Sequence, residues 1–104
     1  MSMEDELVEW LKDNKEIEKI ILFGSRNTET FREDSDYDIC IVMDNQFDKS
    51  SLVKKLYEFM KCFHVLIHPF IYSNDEYSQK MEMDVYRKNI KDTGTEIYSR
   101  NNSI

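Results

Sequence analysis

The stretch "ILFGSRNTETFREDSDYDICIVMD" occupies residues 21–44. It opens apolar, breaks at Gly24-Ser25, crosses a polar segment, and sets Asp36 and Asp38 at the threshold of a second apolar run. Two carboxylates where a strand begins to bury itself need a physical reason. Period two places both side chains on one face of that strand. There they repel each other unless a cation sits between them, and their oxygens suit a hard ion such as Mg²⁺. Upstream, a strand running into Gly24 lets the backbone approach a ligand closely. A helix starting there aims free N–H groups at an anion, and the Ser25 hydroxyl adds a donor. One half of the stretch can hold phosphates and the other the metal that bridges them. That pairing belongs to metal-assisted phosphoryl or nucleotidyl transfer. Taken singly, an Asp-x-Asp is usually solvated turn chemistry and a Gly-Ser is usually a turn. The ordered set is what shifts the balance: strand, Gly-Ser, a helix-length gap, Ser-Asp-Tyr-Asp, apolar strand.

Outward from this stretch, helical and strand patterns alternate. Leu7, Trp10 and Leu11 recur at helical spacing with Val8 beside them, which predicts an amphipathic helix over 3–14. "IEKIILF" (17–23) reads as a strand ending at Gly24, and "ICIVM" (39–43) as a second. "DKSSLVKKLYEFMKCF" lines Leu52, Val53, Leu56, Phe59, Met60 and Phe63 along one stripe, with Ser50 or Ser51 as the natural N-cap. "FHVLIHPFIY" (63–72) reads as a third strand, and its Pro69 points to an edge position or a bulge. "SNDEYSQKM" opens a short helix. Another runs from about Asp84 to Lys91 or Asp92, with Gly94 as its C-terminal cap. "TEIYS" (95–99) can add a last short strand, and the tail 100–104 is expected to fray. The expected class is α/β or α+β, a small mixed β-sheet flanked by helices. Residues 1–104 are expected to form a single domain, because repeats, linkers and low-complexity segments are missing from the sequence.

Composition narrows the function. Apolar residues make up 40%, enough for one modest core. The sequence holds no 18-residue apolar stretch, so no membrane span is expected. The acidic start "MSMEDELVEW" lacks the apolar run of a secretory signal, so a cytoplasmic location is expected. Cys40 and Cys62 match no metal-ligand spacing and read as buried or half-buried free thiols. The formal net charge is −7 and no Lys/Arg cluster stands out along the sequence. Direct nucleic-acid binding is therefore not expected. A nucleotide remains compatible, since a cation and backbone N–H groups can hold its phosphates.

The segment "GSRNTETFREDSDYDICIVM" resembles the minimal nucleotidyltransferase domains of the polymerase-β superfamily. Their signature is Gly-Ser, about ten residues, then Asp-x-Asp leading into an apolar strand. The later "IHPFIYSNDEYSQKM" and "YRKNIKDTGTEIYS" are similar to the C-terminal part of these domains, so the resemblance covers most of the chain. It implies a polymerase-β-like nucleotidyltransferase fold. It also implies that Gly24 and Ser25 bind the triphosphate of ATP, and that Asp36 and Asp38 are the catalytic residues holding Mg²⁺ (or Mn²⁺). Arg26 follows Ser25 as in many members, and the resemblance implies that it contacts phosphate or positions the loop, with a surface pairing to Glu33 or Asp34 as the alternative. Many such domains are antitoxins of HEPN-type toxins, and some transfer AMP from ATP to a tyrosine of the toxin. The implied partner is a small helical HEPN-type protein. Independently of the resemblance, a short third strand with Pro69 and a small core leave apolar surface for another chain to cover, so a complex with a helical protein, or else a homodimer, is expected.

The chain also departs from the family pattern. Many members continue Gly-Ser-Arg with Ala-Arg-Gly, whereas Asn27-Thr28-Glu29 stands here. The third strand usually carries an acid that serves as metal ligand and base, and "FHVLIHPFIY" has none. Anchored on "IHP", Leu66 takes that place. His64 and His68 then share its face by strand parity, as substitutes for the acid or as ordinary edge-strand histidines. Two functions follow. One is a metal-dependent enzyme that transfers AMP to a protein partner. The other is a catalytically impaired antitoxin or adaptor that binds nucleotide or only protein.

Overall fold

A computed structural model describes residues 3–23, 37–46, 48–92 and 94–100. The chain runs α1 (Met3–Leu11), β1 (Ile17–Phe23), β2 (Tyr37–Met43), α2 (Lys49–Phe63), β3 (Ile67–Ser73), α3 (Asn74–Met81), α4 (Asp84–Tyr86) and β4 (Thr95–Ser99). A π-helical turn, Arg87–Asp92, continues α4. The strands form one sheet in the order β3-β2-β1-β4. β1 pairs antiparallel with both β2 and β4, and β2 pairs parallel with β3. The expected small mixed sheet flanked by helices is thus observed. Pro69 lies on an edge strand, where its missing N–H costs no ladder bond on the outer side.

Alternating residues of the central strands feed two cores. Ile20 and Leu22 of β1 and Ile39, Ile41 and Met43 of β2 point to the side of α1 and α2, where Leu7, Leu11, Leu52, Leu56 and Phe59 meet them. Ile21, Phe23, Cys40 and Val42 point the other way, toward Ile90 and the half-buried Phe70, Tyr72, Tyr77 and Tyr86. A strand covered on both faces reads as a continuous apolar run, which is why "IILF" and "ICIVM" do not alternate. Trp10 joins α1 to α2. Its ring stands edge-on to Phe59 (5.8 Å) and Phe63 (5.9 Å), and its Nε1 donates to the Lys55 carbonyl at 3.0 Å.

Several boundaries differ from the sequence expectation, each for a local reason. α1 stops at Leu11 because Asn14 turns the chain, its N–H bonding the Leu11 carbonyl and its Oδ1 accepting from the Glu16 N–H. α2 is capped by Asp48 rather than by a serine. The carboxylate accepts from the N–H groups of Ser50 and Ser51 and from the Ser51 hydroxyl, and these bonds hold its pKa below the usual carboxylate value. The third strand begins at Ile67, not at residue 63. α2 runs on to Phe63 and ends with His64 in the left-handed region (φ 53°), its N–H bonded to the Met60 carbonyl. A histidine there costs about 1 kcal/mol relative to the right-handed region, set against the closing of an otherwise open helix end. α3 opens with the capping box Ser73/Glu76. Gly94 follows the π-turn with its N–H bonded to the Ile90 carbonyl at 3.0 Å. A Cβ there would sit 2.1 Å from that oxygen and 2.7 Å from Cγ2 of Ile21. The glycine is needed for this close approach. Of the cysteines, Cys40 is buried and Cys62 is exposed on α2.

Candidate functional site

Of the residues singled out in the sequence, Gly24, Ser25, Arg26 and Asp36 lie outside the described residues. Asp38, His64 and His68 lie within them. Asp38 is the second residue of β2, and its side chain shares the face of Cys40 and Val42. The registers on its two sides define its surroundings. Phe23, the last residue of β1, pairs with it across the antiparallel ladder, and His68 of β3 pairs with it across the parallel one. His68 Nδ1 stands 3.5 Å from Asp38 Oδ1. Asp38 is 28% exposed and His68 63%, so the pair opens to solvent at the sheet's end.

Beneath the pair the face turns apolar. The His68 and Phe70 rings are 4.8 Å apart, and the Phe23 and Phe70 rings 5.3 Å. Burial pushes the Cys40 thiol up to about 12, so it stays protonated and packs as an apolar group. Tyr72 and Tyr77, on the same side of the sheet, are also pushed above the usual phenol value, chiefly by burial. The result is a polar lip of one carboxylate and one imidazole on an aromatic shelf.

The structure separates the two histidines. His64 caps α2 and is exposed, so strand parity does not govern it. His68 alone of the two reaches Asp38. Leu66 precedes β3, is 64% exposed, and accepts a backbone bond from the Tyr37 N–H at 2.9 Å. The β3 residue opposite Asp38 is therefore His68, two positions beyond Leu66. Only the register of the parallel pair reveals this, and nothing local in "LIHPF" encodes it.

A carboxylate and an imidazole nitrogen are both ligand types for a divalent cation. Among the described residues no group of three or more His, Cys, Asp or Glu gathers to hold a metal ion. The described donor set is Asp38 with His68, and it fits a cation site only when a further ligand joins it.

Comparison with known proteins places this arrangement. Ten solved chains match the structure significantly. A toxin–antitoxin structure with AMP-PNP superposes with a TM-score of 0.69 at 17% identity, covering 95% of this chain and 75% of that one. A mutant MntA–HpeT toxin–antitoxin gives a TM-score of 0.69 at 15% identity, with coverage of 95% and 75%. A tri-AMPylated HEPN toxin from Shewanella oneidensis in complex with MNT antitoxin gives 0.63 at 15% identity, covering 96% and 72%. At such identities the likeness establishes the polymerase-β-like fold. No curated protein sequence matches significantly. The family described as "Polymerase beta, Nucleotidyltransferase" matches residues 5–103, nearly the whole chain, and the chain belongs to this nucleotidyltransferase family.

Proposed function

We propose that this chain is a divalent-metal-dependent nucleotidyltransferase that moves AMP from ATP to a hydroxyl of a helical protein partner, in the manner of an antitoxin acting on a HEPN-type toxin. The observation that carries the reading is Asp38 with His68 at the solvent-open end of a sheet whose family is nucleotidyltransferase. Support for the nucleotide and the partner comes from fold neighbours solved with AMP-PNP and with a tri-AMPylated HEPN toxin. In this proposal Gly24 and Ser25 bind the triphosphate and Arg26 contacts phosphate. Asp36 and Asp38 hold Mg²⁺ or Mn²⁺, with His68 as a neutral third donor. The bound cation supplies charge neutralisation between carboxylates and phosphates. The acceptor oxygen attacks the α-phosphorus, the bond to pyrophosphate breaks, and the hydroxyl proton leaves to solvent. Phe23 and Phe70 form an apolar floor that keeps one side of the reacting group dry.

A second reading has its own observation. β3, Ile67–Ser73, carries no carboxylate, and an imidazole faces Asp38 instead. A neutral ligand holds a divalent cation less tightly than a charged one. This favours a slow enzyme or a nucleotide-binding antitoxin that acts by protein contact. Labelled ATP with Mg²⁺, this chain and its co-expressed helical partner decide between them. Label on the partner, lost in Asp38→Asn, supports transfer. Partner binding without label at any metal concentration supports the second reading.

A further inference from the structure

The layer formed by α1 and α2 carries opposite charge on its two helices. α1 contributes Glu4, Asp5, Glu6 and Glu9, of which Glu9 pairs with Lys12 just beyond the helix at 2.9 Å. α2 carries Lys49, Lys54, Lys55 and Lys61 against one acid, Glu58. The sequence hides this grouping because the lysines are spread over 13 positions, and only the helix brings Lys54, Tyr57 and Lys61 onto one face. In a chain of net charge −7 this is a positive stripe on an acidic molecule. It is also partly apolar. Tyr57 is 62% exposed between the lysines, in a groove of about 650 Å³ that Val53 also lines. A second groove of about 380 Å³ shares Tyr57 and Lys61 and extends to Leu66.

We propose that this layer is a self-association surface. Two copies meet face to face about a two-fold axis running along the helices, so that the acidic α1 of each lies over the basic α2 of the other. An isologous interface must be complementary to itself. A layer with an acidic helix beside a basic one meets that requirement, because the rotation exchanges the two. Tyr57 and Leu66 are covered in the process. The repulsion between two acidic molecules acts mostly over distances beyond about 8 Å, where physiological salt screens it, whereas the helix-on-helix pairs lie within that range. Nucleic acid is a poorer occupant, since the stripe holds Glu58 and sits in an acidic overall field. α2, at 15 residues, is about 22 Å long, and two adjacent helices are roughly 20 Å wide. The two copies together bury on the order of 800 Å², below the usual range of a stable interface, so the association is weak and transient. Asp38 and His68 project from the opposite face of the sheet, so the pairing leaves them open.

Light scattering of the purified chain from about 10 to 300 µM at physiological salt tests this. A mass rising reversibly to twice that of one chain is expected. Lys54→Glu/Lys61→Glu makes both helices acidic, and Glu6→Lys/Glu9→Lys cancels the charge of α1 while α2 stays basic. Each variant alone is expected to stay monomeric with an unchanged circular dichroism spectrum, and an equimolar mixture of the two to form the dimer again. Should either double variant misfold, Tyr57→Ala, at an exposed position, is expected to weaken association at least tenfold. A wild-type chain that stays monomeric throughout overturns the proposal. So do charge variants that self-associate as the wild type does, a mixture that fails to pair, or a Tyr57→Ala chain that associates unchanged.

Discussion

His68 stands opposite Asp38 in the parallel β2–β3 ladder, with Nδ1 3.5 Å from Oδ1. This register makes residue 68 the β3 position that controls the charge beside Asp38. His68→Asp is expected to raise Mg²⁺ affinity at least about fivefold, since one added charge at 4 Å is worth about 1 kcal/mol even in water and more near a protein surface. Leu66→Asp, outside the strand, is expected to change it little. Calorimetric Mg²⁺ titrations of the two variants decide the matter, and a larger gain at 66 than at 68 removes the assignment.

The second expectation concerns the nucleotide. The carboxylates repel a triphosphate until a cation intervenes, so ATP is expected to bind with Mg²⁺ or Mn²⁺ and not with EDTA. Asp36→Asn/Asp38→Asn is expected to abolish metal-dependent binding and keep the thermal midpoint within a few degrees. Equal ATP affinity in EDTA argues against the metal role, and an unfolded double variant makes the pair structural.

Much of this architecture was legible in the residues. The buried strands announced themselves as "IILF" and "ICIVM", and Pro69 marked an edge strand. The Asp-x-Asp and Gly-Ser spacing pointed to the family that matches residues 5–103. What the sequence did not encode locally was where one element hands over to the next. "CFHVLIHPF" is apolar enough for helix or strand, and the handover depends on His64 accepting a left-handed backbone. That His68 rather than Leu66 stands opposite Asp38 has the same origin. Strand pairing is a long-range relation, fixed by packing on both faces of the sheet rather than by composition.

Gly94 supplies a stability test independent of the site. Gly94→Ala forces a Cβ against the Ile90 carbonyl oxygen and Ile21. The oxygen belongs to the backbone of the π-turn and cannot swing aside as a side chain can. A loss of about 1–3 kcal/mol is expected, a Tm fall of roughly 5–20 °C for a domain of this size. Differential scanning calorimetry showing an unchanged or higher Tm means the turn relaxes freely, and the close approach is not a constraint.

Arg100 joins three parts of the sheet's far end. It follows β4, hydrogen-bonds both carboxylate oxygens of Asp44 just beyond β2 (3.3 and 3.1 Å), and pairs with Glu18 of β1. The hydrogen bond from Arg100 is the largest cause holding the Asp44 carboxyl below its ordinary value. A carboxylate whose folded pKa is depressed contributes stability that is fully present above its unfolded pKa. That contribution is lost as pH falls through the folded value. Arg100→Gln is therefore expected to lower the urea midpoint at pH 7, modestly, because the groups are solvent-accessible. The gap between variant and wild type is expected to narrow as pH drops below about 4, the ordinary Asp value, and to close once Asp44 is protonated in the folded chain as well. Urea titrations at pH 7, 4 and 2.5 read this directly. A gap of constant size across that range assigns the arginine's contribution to partners that do not titrate, its bond to the Lys15 carbonyl and the packing of its stem, and no gap at pH 7 leaves the pairing without a role in stability.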